Sequence, residues 1–134
     1  MLKFFAKSIR RFAGETHGTA TIEAVLMLPL FFAFFALMVD VAMIFNGHSR
    51  VMRIVQDANR SLSVGRLATE DEVEAYIVAA LANLSPNATA STQIVSGLAT
   101  TTAFVPATDL AIIGMFSAIT SITLNVTAQH YIEF

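Results

Sequence analysis

The sequence predicts an α+β chain: a single N-terminal transmembrane helix that extends into an amphipathic stalk, then a small head with a second helix and a short antiparallel sheet. Three observations carry this expectation. Ala24 to Val39 is an apolar run, resumed from Val41 to Phe45 with Asp40 as the only charge inside it. That is enough for a hydrocarbon core about 30 Å thick, which needs roughly 20 apolar residues in a helix. Beyond Phe45, apolar residues recur at helical spacing as far as Leu62, and near the C-terminus apolar and polar residues alternate strictly from Ile122 to Glu133.

The first helix is apolar on every side. Leu30, Phe31, Phe32, Phe34, Phe35 and Leu37 surround the axis, whereas a one-faced surface helix would leave a polar stripe. Such a helix can be buried only by lipid or by a bundle of similar helices. The bulk numbers agree: 55% of the residues are hydrophobic and 13% charged, which sets the chain apart from an ordinary soluble domain. A length of 134 residues allows one span and one small core. The net charge of -2, with no basic stripe after the span, argues against nucleic acid as a partner. The chain has no cysteine, so disulfides, thiol catalysis and thiolate metal sites are all excluded.

Taken in order, the chain opens with a basic amphipathic segment. Leu2, Phe5, Ile9 and Phe12 recur at helical spacing between Lys3, Lys7, Arg10 and Arg11. It resembles the basic start of an export signal, but the apolar run after it exceeds an ordinary signal core and is followed by no small-residue cleavage segment. The basic flank predicts a cytoplasmic N-terminus. Ala13 to His17 reads as a break, and Gly18 as accessible backbone ahead of the helix.

Glu23 stands at the first turn of the span, where a carboxylate is costly; either it reaches the headgroups or it has a partner. Pro29, inside the span, removes one backbone hydrogen bond and is expected to kink the axis. Asp40 is expected to reach toward the far interface, the other reading being a pairing with a neighbouring helix. Past the span, Val51, Ile54, Val55, Ala58 and Leu62 form an apolar stripe. Asn46-Gly47 is a candidate bend and Gly65 a terminator. An unbroken helix from Ala20 to Val64 would measure roughly 68 Å.

Thr69-Glu70-Asp71-Glu72 is a capping box for a second helix whose face is Val73, Ile77, Ala80, Leu81 and Leu84, stopped by Ser85-Pro86-Asn87. Thr92–Ser96 and Thr100–Val105 read as short strands parted near Gly97. Residues 109–117 are either a short apolar helix or a loop that packs on partners. In the last strand Ile122, Leu124, Val126, Ala128, His130 and Ile132 share one face. His130 is expected to be a hydrogen-bonded core residue.

A basic leader, then Gly18-Thr19-Ala20-Thr21-Ile22-Glu23, then an apolar helix with Pro29 and many phenylalanines, resembles the TadE-like minor pilins or pseudopilins of tight-adherence (Tad) pilus systems. The resemblance is strongest over residues 10–64. Where the family often has Phe or Tyr after the Glu, this chain has Ala24. The resemblance implies a type IV pilin-like precursor whose leader a prepilin peptidase removes between Gly18 and Thr19. It also implies that Glu23 neutralises the freed amino group of a neighbouring subunit. The expected organisation is a leader over 1–18, a transmembrane helix over 19–45, its amphipathic continuation over 46–66 and an extracytoplasmic α+β head over 67–134.

No enzymatic signature accompanies this pattern. His17, His48 and His130 are the only histidines, with no metal-ligand spacing, and no nucleophile elbow, Walker loop or dinucleotide fingerprint is present. The expectation is a processed substrate with no catalytic residue, no cofactor and no small-molecule substrate. Its partners would be membrane lipid, the prepilin peptidase, other pilin or pseudopilin subunits and the pilus assembly platform. Its place would be the bacterial inner (cytoplasmic) membrane, crossed once, with the head periplasmic. The rival expectation is an uncleaved single-pass anchor for an interaction domain of another envelope complex.

Overall fold

The computed structural model describes residues 17–132. The basic segment 1–12 and most of the break read after it lie outside the described residues. The elements run α1 (His17–Ser63), α2 (Glu70–Leu81), β1 (Thr89–Val95), β2 (Leu98–Pro106), α3 (Ala107–Leu110), α4 (Met115–Ile119) and β3 (Thr123–Tyr131). The fold is α+β, with one candidate span among the described residues, as the sequence predicted. The chain divides into two compact units, residues 1–35 and 36–134.

In the N-terminal unit, α1 leaves its apolar residues uncovered on all sides: Leu26, Leu30, Phe31, Phe32, Phe34 and Phe35 are each more than half exposed. The helix is long and apolar enough to cross a membrane, and none of its most apolar window is buried by protein. Helical geometry continues through Pro29, so the proline costs a hydrogen bond without ending the helix.

In the C-terminal unit the same helix becomes one-faced. Asp40, Ile44, Gly47, Val51, Val55, Ala58, Asn59 and Leu62 are buried, a stripe with steps of three and four residues that faces a core. The helix runs unbroken through Asn46-Gly47, the predicted bend. Gly47 is buried inside the helix, and a Cβ there would lie 2.7 Å from Leu110 Cδ2, so its lack of a side chain serves close packing. The terminator reading of Gly65 holds: its φ is +73°, and Arg66 donates to the Ser61 carbonyl at 2.9 Å, the wrap that satisfies orphan carbonyls at a helix end.

α2 is capped by Thr69, whose hydroxyl accepts from the Glu72 amide at 3.2 Å. The return arm differs from the simplest capping box, since the Glu72 carboxylate accepts from the Ala68 amide at 2.7 Å, one residue ahead of the cap. Val73, Ile77 and Leu81 enter the core, while Ala80 stays exposed.

The strands form one antiparallel sheet in the order β1-β2-β3. β1 and β2 are each longer than the sequence predicted: Thr89, Ala90 and Ser91 pair with Phe104, Ala103 and Thr102, and Leu98 and Ala99 pair with Val95 and Ile94. The hairpin between them turns on Ser96 (φ 54°) and Gly97 (φ +79°), the two positive angles that a two-residue type I′ loop requires. Inward from the sheet point Thr92, Ala99, Thr101, Ala103, Val105 and Val126. Two of these are alanines, so the stripe of α1 can approach β2 closely.

Candidate functional site

The residues singled out as a processing and assembly site lie along α1, but not in one environment. Gly18 and Thr19 fall in the first turn of the helix, which begins at His17, and not ahead of it as expected. The opening turn carries amides without intrahelical acceptors, which makes it the least costly part of the helix to unwind. Glu23 is exposed among exposed apolar neighbours, with Ile22 at 62% and Leu26 at 70%. Pro29 follows six residues later, and Met27, Leu30, Phe31 and Phe34 line a shallow, wholly apolar depression beside it. This surface can do one thing chemically: it can exclude water against other apolar groups, with a single carboxylate available to meet a cation.

Asp40 departs from both sequence readings. It is fully buried in the C-terminal unit, and its carboxylate accepts the Ile113 amide at 2.8 Å. It neither snorkels nor awaits a foreign helix, because a backbone donor from the segment between β2 and β3 meets it inside its own unit. Burial of a carboxylate demands such a donor.

That segment is fastened elsewhere too. Asp109 in α3 accepts from the Ser85 hydroxyl at 2.5 Å and from the Asn87 side-chain amide at 3.2 Å. Leu110 is buried over Gly47, and the base is closed by the Ala107 amide donating to the Ile122 carbonyl at 2.8 Å.

Asn59, which the sequence gave no reason to single out, joins α1 to the sheet. Its carboxamide accepts from the Thr101 hydroxyl at 2.6 Å and donates to the Ala128 carbonyl at 3.0 Å. Glu70 was legible only as part of the capping box, and Glu74 was not singled out by the sequence. Their carboxylates accept the Ile94 and Thr92 amides, each at 2.7 Å, so α2 closes the outer edge of β1.

His130 is a correction. It is exposed, at the mouth of an open groove with Arg53, Gln56, Asp57, Arg60 and Gln129, and is not a core residue. On the same helix, Asp57 accepts from the Tyr76 hydroxyl at 2.8 Å. That bond, followed by partial burial and the nearby negative charge, raises the Tyr76 phenol above its ordinary pKa of 10.0. Among the described residues, no three His, Cys, Asp or Glu side chains gather in a way that could hold a metal.

Against known families, residues 18–60 match the model described as TadE-like protein. The match begins at Gly18, takes in the whole apolar run and ends one residue beyond Asn59. No curated protein and no solved structure matches the chain.

Proposed function

We propose, with residues 18–60 taken as a TadE-like segment, that this protein is a minor pilin or pseudopilin that helps to assemble or initiate a Tad-type pilus. The observation that carries the reading is the coincidence of three features at one place. The family match starts at the glycine of Gly-x-x-x-x-Glu, and the helix that follows offers apolar side chains on every face with no protein over them. An uncovered helix of this kind is a packing element for a bundle of like helices.

On this reading the chain is inserted with its N-terminus in the cytoplasm, across the bacterial inner membrane, and a prepilin peptidase cuts between Gly18 and Thr19. Glu23 then meets the new amino group of a neighbouring subunit. In an apolar bundle each charge is stabilised by the other, and neither is tolerable alone. The partners are other pilin or pseudopilin subunits and the assembly platform. The protein itself performs no catalysis.

The test is the intact mass, or the N-terminal sequence, of membrane-extracted protein from cells with and without the prepilin peptidase. Loss of residues 1–18 only where the peptidase is present supports the proposal. An unchanged N-terminus in both overturns it in favour of an uncleaved single-pass anchor.

A further inference from the structure

We infer that the segment between β2 and β3, residues 111–122, is a second membrane contact: a loop that lies in the headgroup and upper acyl region of the bilayer beside α1. The inference rests on α1 being membrane-spanning, and extends it to a part of the C-terminal unit.

The first ground is composition. Ala111 to Ile122 contains no Asp, Glu, Lys or Arg. Ile112, Ile113, Ile119 and Ile122 are exposed at 67%, 51%, 72% and 45%. Four exposed isoleucines within one short segment make a concentrated apolar patch, which a free soluble surface rarely carries. The nearest charge along the chain, Asp109, is occupied by Ser85 and Asn87.

The second ground is direction. Leu110 packs over Gly47, and three residues later the Ile113 amide meets Asp40. Over that interval the segment moves past seven residues of α1, about 10 Å of helix, toward its N-terminal end. Asp40 directly follows the apolar run Ala24–Val39. The loop is thus held against the point of the helix at which the uninterrupted apolar run ends, with its isoleucines uncovered.

The third ground sets the depth. Only Met115–Ile119 of this segment is helical, so much of its backbone could not satisfy its polar groups in the hydrocarbon centre. Headgroups and interfacial water can satisfy them. Apolar side chains on such a segment reach about 5–10 Å into the boundary. The Asp40 bond and the Ala107 to Ile122 closure hold the loop at that level.

The chain has no tryptophan, so a single introduced one reports its own surroundings. Full-length Ile112→Trp, Ile119→Trp and, as a span reporter, Phe32→Trp are reconstituted in neutral phosphatidylcholine vesicles. The lipids are brominated either high or low on the acyl chain, and acrylamide is the aqueous quencher. The inference expects both loop reporters to emit blue-shifted light and to be quenched more by high than by low bromines, with Phe32→Trp quenched as well. Loop reporters open to acrylamide while Phe32→Trp is quenched by lipid would overturn the loop contact and leave the span standing. Loop reporters shielded from both quenchers would mean cover by protein, a second copy of the chain, and would overturn it too. An unquenched Phe32→Trp would overturn the span, and the inference with it.

Discussion

The Thr101 hydroxyl donates to the Asn59 carboxamide at 2.6 Å in a site where both residues are almost wholly enclosed. The same carboxamide donates to the Ala128 carbonyl, so one side chain of α1 holds two strands. Asn59→Ala removes both bonds at once and leaves the buried Thr101 hydroxyl only the longer contact to Thr92 at 3.2 Å, which costs about 1–3 kcal/mol. Thermal unfolding of the detergent-solubilised full chain should show the loss, and Asn59→Asp should be no better, since a carboxylate cannot donate to Ala128.

Gly47→Ala places a methyl group against Leu110, and overpacking of this kind costs about 1–3 kcal/mol. Leu110→Ala alone opens a cavity at a cost of about 2–5 kcal/mol. The pair should be less destabilised than the sum of the two, because the methyl group enters the space the leucine vacates. A double-mutant cycle measured by denaturant unfolding checks this, and strict additivity would contradict the close approach.

Tyr76 holds its proton to higher pH in the folded chain than in the unfolded one, because Asp57 accepts its hydrogen bond. The stabilisation is therefore fully present below the ordinary value of 10.0 and is lost as pH rises through the raised value. In a Tyr131→Phe background, phenolate absorbance should titrate later in the folded than in the unfolded protein. Asp57→Asn should bring the folded titration back toward the ordinary value.

Glu70 and Glu74 are predicted to govern amide exchange on β1. Glu70→Ala should speed hydrogen exchange at Ile94, and Glu74→Ala at Thr92, each without affecting the other strand edge. Each lost bond should cost about 1 kcal/mol or less at this exposed rim.

Glu23→Ala should leave cleavage after Gly18 largely intact and impair incorporation into a pilus, read by comparing processed subunit in membrane and sheared-filament fractions. Gly18→Ala should slow cleavage with membrane insertion unchanged. Normal assembly of the Glu23→Ala protein would reject charge pairing without touching the family match.

What the sequence made legible followed local periodicity. The apolar run, the stripe from Val51 to Leu62, the Thr69 cap and the alternation through β3 each depend on residues close to one another in the chain. Asp40 could not be read in this way, because its donor is an amide 73 positions away on a segment whose path has no periodic signature. Asn46-Gly47 misled for a related reason: a glycine that breaks a helix and one that admits a leucine look alike until Leu110 is in place. His130 has the inward parity of its strand, but that strand is at an edge of the sheet and ends beside an open groove. Glu70 advertises a helix start and nothing of the strand it also serves, and Glu74 gives no local signal of its bond to Thr92.

Only one rim of the sheet can accept a further strand. Ile132 donates to the Gly97 carbonyl, which by alternation turns the amides of Asn125, Thr127, Gln129 and Tyr131 outward from β3, and among the described residues none of these backbone groups has a partner. With the opposite rim stoppered by carboxylates, two molecules joined through these amides about a two-fold axis would use up every available rim. Strand addition to the folded sheet would then stop at a pair.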